Sequence, residues 1–473
     1  MKAQIARLGW HGDVGPSDAA KNWTIGSTTS AVMNTTHTNA GTADEFGWTQ
    51  GLAYFLDKNS NEVVPIQWST GTVTNGFSYR NVSGAWTDAS MNETVLTHGA
   101  FAYDATNNLI HALWYSTNLG DANGNTGLVY RRYVIQYSGN NISDIVSDNG
   151  VNVGGATTRT NLVVDAQGSA VPSSSSEQPS ILLTPTNRLV IMWTMQNVNG
   201  VELRISMCDL SSNINAGKTA ANWVNPLGGA TATTSIGGAA PYVAFGKVYA
   251  NAAVNQQLTY STLHQKQTGT NGSDLCVVYT AGNSTAAYNY RWVRLRYNAG
   301  ANNWSTGLST PIQLTLIQRA GTDTGYVLKF QLLTNICEDG NGNCYVGCAT
   351  WKANATGDTW GYAQITDGAE AVTLVDVYSA GGAHSYAPTG HIAYDPAKNI
   401  LLASYIKTTS QFAYVQGFTG TTQKIAEQVL FTADKVDIPY FLTGNPTLLN
   451  KAPFILRNTV ATFKGYSGNL TWT

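Results

Sequence analysis

The sequence predicts an all-β protein, and its composition is the first observation that does so. Only 11% of the residues are charged, against about 25% in ordinary soluble domains, and long surface helices need Glu, Lys and Arg on their solvent-facing side. Forty-seven glycines, with abundant Asn, Thr and Ser, favour turns between short strands. Thirteen Trp, twenty-four Tyr and twelve Phe supply too much apolar surface for a disordered chain.

A recurrent hairpin is the second observation. An apolar strand, a tight polar turn and a second apolar strand recur along the chain, with alternating Val, Ile, Tyr and Trp in the strands. The turns contain residues that suit hairpins, and they lie around Asp57, Asp104, Asn187, Asp339 and Asp395. Further strand–turn segments begin at Tyr288 and Arg457. Helical periodicity appears only weakly, at Ile425 to Phe431.

The spacing of these hairpins is the third observation. Positions 57 and 104 lie 47 residues apart, and positions 339 and 395 lie 56 apart. A unit of about 40–50 residues with several strands is typical of a propeller blade. We therefore predict a single β-propeller over residues 1–473, with seven blades and a permitted range of six to eight. Residues 1–45 are expected to close the ring or to form an arm. Two β-sandwich domains are the alternative.

The five cysteines leave three interpretations open. Cys208 and Cys276 stand alone, whereas Cys337, Cys344 and Cys348 lie together in CEDGNGNCYVGC. Buried thiols are the favoured interpretation, because free Cys is usually buried. A disulfide between Cys337 and Cys344 across the DGNGN turn is the second. A zinc site is the third, although the paired Cys-x-x-Cys spacing is missing. Cys344 and Cys348 are expected to face the same side of one strand.

Composition also restricts the partners and the location. A net charge of −2 with no cluster among the 26 basic residues gives no electrostatic surface for nucleic acid. No run of about eighteen apolar residues predicts a membrane span. Few charges and the Asn-x-Ser/Thr triplets at Asn22, Asn81, Asn92 and Asn303 indicate an extracellular or virion-surface protein. Residues 1–14 do not read as a secretory signal, so either a leader has been removed or the protein is released on lysis.

One segment carries a family resemblance. LTHGAFAYDATNNLIHALWYSTN, followed by GLVYRRYV, resembles the BNR-repeat-like propellers that include ulvan lyases and rhamnose–glucuronate lyases. In that family a His opens the strand, an Asp begins the turn, Ile-His-Val follows, and Tyr-Arg-x-Ser closes the next strand. The matching positions here are His98, Asp104, Ile110–His111 and Tyr130–Arg131. SEQPSILLTPTNRLVIMWT and QLLTNICEDGNGNCYVGCATW resemble other blades, so the pattern covers about two-thirds of the chain.

The resemblance implies β-elimination on a uronate-containing glycan. A positive group must neutralise the uronate carboxylate, and a base must take the C5 proton. If the chain is a lyase, the candidate catalytic residues are His98, Tyr130 and Arg131. Three other positions of the family site fall on residues without that chemistry, namely Thr117, Gln178, and Thr194 or Met195.

Each of these candidates also has a structural interpretation. His98 at a strand start fits a hydrogen-bonded structural residue better than a catalytic one, and His111, between apolar neighbours, is expected to be structural. Arg131 and Arg132 fit a solvated pair or stacking on Tyr133.

A second set of residues is predicted to bind a ligand without catalysis. His264, like His384 and His391, is expected in a loop at the mouth of the propeller, and Trp114 is a candidate for stacking on a sugar. The sequence gives no sign of a metal site or a cofactor, and the Gly-x-Ser-x-Gly, P-loop and His-Glu-x-x-His motifs are absent from the sequence.

Two functional hypotheses follow. The first is a non-catalytic propeller that contacts a polysaccharide, a surface glycan or other surface proteins, either on a virion, as a tail or capsid appendage, or on a cell. It depends on the unmatched catalytic positions and on the low charge. The alternative is a polysaccharide lyase that cleaves a uronate-containing glycan by β-elimination.

Overall fold

Strands account for nearly all regular structure among the residues that the computed structural model describes. The structure describes residues 31–33, 45–46, 55–69, 73–82, 84–94, 99–116, 127–148, 162–166, 179–197, 200–229, 243–252, 256–270, 272–283, 287–306, 312–318, 335–351, 358–379, 390–396, 398–407, 410, 412–431, 436–441, 451–458 and 465–471. Short 3₁₀ turns lie at Ala216–Lys218 and Ala220–Asn222. Within these ranges no helix has the length and apolarity needed to cross a membrane.

The described strands form seven antiparallel sheets, numbered here in chain order. Sheet 1 contains β2 (Glu45–Phe46), β3 (Phe55–Leu56), β4 (Glu62–Ser69), β5 (Val73–Arg80) and β6 (Trp86–Thr94). Sheet 2 contains β7 (Ala100–Asp104), β8 (Leu109–Ser116), β9 (Gly127–Ser138), β10 (Asn141–Ser147) and β11 (Leu162–Ala166). Sheet 3 contains β12 (Ser180–Leu183), β13 (Arg188–Asn197), β14 (Gly200–Asp209), β15 (Trp223–Val224) and β16 (Gly246–Asn251).

The other four sheets follow the same plan. Sheet 4 contains β17 (Gln256–Gln265), β18 (Leu275–Asn283), β19 (Ala287–Asn298), β20 (Asn303–Thr306) and β21 (Ile312–Gln318). Sheet 5 contains β22 (Ile336–Glu338), β23 (Cys344–Trp351), β24 (Asp358–Ile365) and β25 (Val372–Ser379). Sheet 6 contains β26 (Gly390–Asp395), β27 (Ile400–Ile406), β28 (Ala413–Thr419) and β29 (Thr422–Phe431). Sheet 7 contains β30 (Val436–Phe441), β31 (Lys451–Asn458), β32 (Gly465–Thr471) and β1 (Ala31–Met33).

The seven sheets form a closed ring. Each sheet contacts the next in chain order, and sheet 7 contacts sheet 1 through β1 and β6. The first strands of sheets 2 to 7 also contact one another in succession, which places them around the centre. This arrangement is a single all-β propeller, as the sequence predicted, and it excludes two separate sandwiches.

An N-terminal strand completes the sheet that contains the C-terminal strands. β1 pairs antiparallel with β32, with Ala31 opposite Ser467 and Met33 opposite Gly465. The remainder of residues 1–45, apart from Glu45 at the start of β2, lies outside the described residues. The hydrogen-bonding edge of β32 is therefore covered by a segment more than 400 residues away in sequence.

The predicted hairpins are confirmed, and the turns at Asp57 and Asp339 share one geometry. Asp339 Oδ1 accepts hydrogen bonds from the backbone N–H groups of Asn341 and Asn343, both at 2.9 Å. Asp57 accepts from Asn59 and Asn61 in the same way, both at 2.8 Å. An aspartate at the start of the turn thus satisfies backbone donors that a strand ladder cannot reach.

Apolar clusters lie between neighbouring sheets. β14 illustrates the arrangement, because Leu203 packs toward sheet 4 while Cys208 packs toward sheet 2. Successive residues of a strand point to opposite faces, so a strand between two other sheets is buried on both. All residues of β14 except Asp209 are buried. The sequence of β14 nevertheless alternates, because Glu202, Arg204 and Ser206 are polar residues that are buried on one of its faces.

The weak helical pattern at Ile425 to Phe431 is wrong. These residues belong to β29, which pairs antiparallel with β28, with Gly417 opposite Ile425 and Ala413 opposite Phe431. Local propensity alone does not decide a strand at the edge of a sheet, because the partner strand supplies its hydrogen bonds.

All five cysteines are free thiols in this structure. Cys344 and Cys348 pack in the same apolar cluster between sheets 4 and 5, as their even spacing predicted. Cys337 instead packs against the cluster between sheets 5 and 6. The Cys337 and Cys344 side chains therefore point to opposite faces of sheet 5, and this geometry excludes the disulfide suggested by the DGNGN turn.

Candidate functional site

Tyr130 and His111 form a buried hydrogen-bonded pair between sheets 2 and 3. The Tyr130 hydroxyl lies 2.7 Å from His111 Nδ1, and the Tyr130 ring packs edge-on against Trp223 at 5.5 Å between centroids. Burial raises the pKa of Tyr130 well above its ordinary value and lowers the pKa of His111 to about 4. Both groups are therefore neutral at pH 7. His111 is structural, as expected from its apolar neighbours.

Arg131 lies on the opposite face of β9 from Tyr130. Both side chains are buried, with 8% and 1% of their surface exposed. Because consecutive strand residues point in opposite directions, β9 directs Tyr130 toward sheet 3 and Arg131 toward sheet 1. The structure does not bring these two predicted catalytic residues together in one cavity.

Arg132 is held in an ion-pair network rather than in solvent. Its Nε donates to Asp148 Oδ2 at 2.9 Å, and its Nη2 donates to Asn215 Oδ1 at 2.8 Å. The carbonyl of Ile214 accepts from Nη1. Lys218 also pairs with Asp148. The solvated Arg131–Arg132 pair suggested by the sequence is wrong, because both arginines are buried between sheets.

The remaining predicted positions divide into two groups. His98, Thr117, Gln178 and His384 lie outside the described residues. Trp114 lies in β8 opposite Val129. Thr194 and Met195 are buried in β13, with 0% and 2% of their surface exposed, so neither presents a group to solvent.

His264 is partly exposed and contacts a carboxylate of the neighbouring sheet. It lies near the end of β17, not in a mouth loop, and its Nε2 is 3.1 Å from Glu338 Oε2 in β22. The His264 side chain is 21% exposed, whereas that of Glu338 is 5% exposed. His391, also expected in a loop, is buried in β26, and burial lowers its pKa to about 3.

Glu338 connects β22 to the loop that follows β17. Its carboxylate accepts hydrogen bonds from the backbone N–H groups of Gln267 and Thr268 at 2.7 and 2.9 Å, and from the Thr268 hydroxyl at 2.7 Å. Burial works to raise the pKa of Glu338, but the hydrogen bonds from His264, Gln267 and Thr268 outweigh it and hold the pKa below its ordinary value. Glu338 is therefore an anion beside His264 at neutral pH.

Two further ion pairs cross the boundary between sheets 4 and 5, beside that of His264 with Glu338. Lys266 pairs with Asp367, and Arg294 pairs with Glu370. Lys266 Nζ lies 2.8 Å from Asp367 Oδ1, and Arg294 Nε lies 2.6 Å from Glu370 Oε1. His264–Glu338 is the pair on the first strands, which surround the centre of the ring.

A partly exposed imidazole beside a fixed carboxylate has two chemical uses. It can donate or accept a hydrogen bond to a ligand hydroxyl, and it can transfer a proton. The sequence identified His264 but missed Glu338, because CEDGNGNC was interpreted as a turn with cysteines. Two consecutive acidic residues at a strand end were the available signal. Among the described residues, no group of three or more His, Cys, Asp and Glu side chains is placed to hold a metal ion.

Solved structures with the same fold include polysaccharide lyases. An ulvan lyase of family PL25 superposes with a TM-score of 0.51 at 9% identity, over 91% of this chain and 96% of that one. A PL25 ulvan lyase bound to -[GlcA(1-4)Rha3S]- superposes with a TM-score of 0.50 at the same identity and coverage. The polysaccharide lyase Uly1 superposes with a TM-score of 0.51 at 10% identity, over 97% of this chain and 95% of that one.

Similarity at this level of identity shows the propeller fold alone. Neither a protein-family profile nor a curated protein sequence matches the chain. The class that the fold defines is thus a β-propeller.

Proposed function

We propose that the protein is a glycan-binding β-propeller of seven blades, one for each sheet, that contacts its polysaccharide without cleaving it. The chain shares its fold over 91% of its length with a lyase that holds a glucuronate–rhamnose fragment. Composition adds support, since neutral aromatic and amide side chains bind sugars by stacking and hydrogen bonding. An extracellular or virion-surface location, including a tail or capsid appendage that also contacts other surface proteins, remains part of this proposal.

One observation favours binding over cleavage. Tyr130 and Arg131, two of the three candidate catalytic residues, are buried on opposite faces of β9. A catalytic base must lie within hydrogen-bonding distance of the proton that it removes, and a buried neutral phenol with a raised pKa is a poor base. His264 and Trp114 are the proposed ligand contacts.

Binding is tested by affinity electrophoresis or a glycan array with ulvan, gum arabic and pectin fragments. We expect retardation on at least one polysaccharide, and a loss of about tenfold in affinity for His264→Ala, equivalent to one lost hydrogen bond to a polar ligand. Lys424→Ala is the matched control, because Lys424 is exposed on β29 and should leave binding unchanged. The absence of binding to every glycan would contradict the proposal.

A polysaccharide lyase is the second candidate, and the similarity to two lyases over nearly the whole chain favours it. In this alternative His98 takes the C5 proton, and Tyr130 and Arg131 would have to act from a rearranged sheet. Incubation with uronate-containing glycans distinguishes the two candidates, because β-elimination leaves an unsaturated sugar that absorbs ultraviolet light. Product formation that is lost in His98→Ala would establish the lyase and overturn the non-catalytic proposal.

A further inference from the structure

Two buried thiols meet between sheets 4 and 5. Cys276 lies in β18 and Cys344 begins β23, so both belong to the second strand of their sheet. Their exposed fractions are 0% and 2%, and both pack in the same apolar cluster. Cys276 lies opposite His264 where β18 pairs with β17, and Cys344 lies opposite Glu338 where β23 pairs with β22. Because His264 contacts Glu338 across the same boundary, the two cysteines are neighbours, and the Cys344 thiol contributes to the raised pKa of Cys276. The two residues are 68 positions apart in sequence, so only the packing of the sheets brings them together.

We propose that Cys276 and Cys344 are a redox pair that closes to a disulfide between sheets 4 and 5. The oxidant is an organic disulfide such as oxidised glutathione. One cysteine thiolate attacks the oxidant and releases one thiol, and the second cysteine displaces the other. Two protein thiols lose two electrons and two protons, one S–S bond forms, and the oxidant becomes two thiols.

The surroundings favour this pair over other pairings. Disulfide formation requires the two sulfurs to approach to about 2.05 Å, which is a local movement for neighbouring thiols of one buried cluster. Cys337 points to the opposite face of sheet 5, and Cys208 lies between sheets 2 and 3. Cys348 shares the cluster but lies four residues further along β23 from Cys344.

The reaction is expected to be slow at neutral pH. Burial is the main cause that raises the pKa of the Cys276 thiol, and the nearby Lys266 ammonium only partly opposes it. Because the thiolate is the reactive form, the rate should rise about tenfold for each pH unit between pH 7 and 9.

The test uses the full-length protein and oxidised glutathione. After incubation, the protein is denatured, its remaining thiols are alkylated, and the peptides are analysed by mass spectrometry. We expect two of five thiols to be protected and a peptide that joins Cys276 to Cys344. The oxidised protein should also melt several degrees higher, since a cross-link over a loop of this length restricts the unfolded chain. Five alkylated thiols, or a cross-link between other cysteines, would overturn the proposal.

Matched variants separate this pair from non-specific oxidation. Cys344→Ser should abolish both the cross-link and the rise in melting temperature. Cys348→Ser removes a buried thiol from the same strand and cluster and should preserve both. Persistence of the rise in melting temperature in Cys344→Ser would contradict the assignment. If either variant folds poorly, the peptide map of the wild-type protein still tests the proposal.

Discussion

At the residue scale, the protein buries several ionisable side chains whose chemistry is suppressed by packing. His111 is fully buried, and its Nδ1 contacts the Tyr130 hydroxyl. Its Nε2 has no hydrogen-bond partner among the described residues. Removal from water disfavours the charged imidazole and therefore lowers its pKa. His111, which was expected to be structural, is thus held neutral inside the ring at pH 7.

His111 makes stability depend on pH in a defined interval. The unfolded imidazole ionises near pH 6.5, whereas His111 in the folded protein ionises near pH 4. The contribution of the neutral His111 imidazole to the free energy of unfolding is fully present above pH 6.5. It is lost as the pH falls to about 4, by up to about 3 kcal/mol. His111→Gln should flatten the pH dependence of the free energy of unfolding in this interval, as measured by urea unfolding. Tyr130→Phe, which keeps the imidazole, should retain the slope, and equal slopes for wild type and His111→Gln would refute the prediction.

A buried arginine provides the second residue-scale prediction. Arg204 has no exposed side-chain surface and pairs with Asp165 and Glu202, both at 2.6 Å. Burial raises the pKa of Asp165, although Arg204 opposes this. Replacing one partner of a buried ion pair leaves uncompensated charge, so Arg204→Met should cost about 3–5 kcal/mol in the free energy of unfolding.

A more exposed lysine on the same carboxylate supplies the control for Arg204. Lys247 pairs with Glu202 at 2.6 Å but is 27% exposed, so Lys247→Met should cost less than about 1 kcal/mol. Urea denaturation measures both variants, and equal losses would show that burial does not govern the network.

At the element scale, an aspartate begins the turn of the first hairpin in sheets 1, 2, 5 and 6. In sheet 5, Asp339 also accepts from Asn343 Nδ2 at 2.9 Å and from the Tyr345 hydroxyl at 3.0 Å. Gly342 has a φ of +82°, a conformation that glycine adopts at low cost. The turn is thus determined by its own five residues, which explains why the sequence predicts it well.

Loss of that aspartate should weaken the hairpin measurably. Asp339→Ala removes four accepted hydrogen bonds, each worth about 0.5–1.5 kcal/mol, so we expect a loss of about 2–6 kcal/mol. Asp339→Asn keeps one acceptor oxygen for the Asn341 and Asn343 N–H groups and should recover part of this loss. Thermal or urea unfolding gives both values, and an equal loss in the two variants would argue against the turn hydrogen bonds as the cause.

At the scale of the whole molecule, stability depends on closure of the ring. β1 covers the edge of β32 by backbone pairing at Ala31, Val32 and Met33, and it contacts β6 of sheet 1. A ring without this strand has an exposed edge and a weaker contact between its last and first sheets.

A pair of truncations tests this closure. Deletion of residues 1–33 should lower the melting temperature and increase association in gel filtration, because the β32 edge becomes available for pairing. Deletion of residues 1–30 retains β1 and should leave both properties close to those of the full chain. If the two truncated proteins behaved alike, pairing by β1 would not be what closes the ring.

Features that depend on neighbouring residues were predictable from the sequence, whereas features that depend on residues far apart in the chain were not. The hairpins at Asp57 and Asp339 were predictable because a turn depends on a few consecutive residues. The strand at Ile425 was not, because its partner β28 decides its conformation. For the candidate site, His264 was found from the sequence, but Glu338, 74 positions away, was not.

The sequence by itself determined an all-β chain of repeated hairpins, because alternation, turn residues and repeat spacing are local properties that survive without tertiary contacts. Tertiary structure alone decided that Tyr130 and Arg131 face opposite sides of a buried strand, that His264 meets Glu338, and that Cys276 meets Cys344. These contacts form when neighbouring sheets pack face to face around the ring, and that packing depends on residues far apart in the chain.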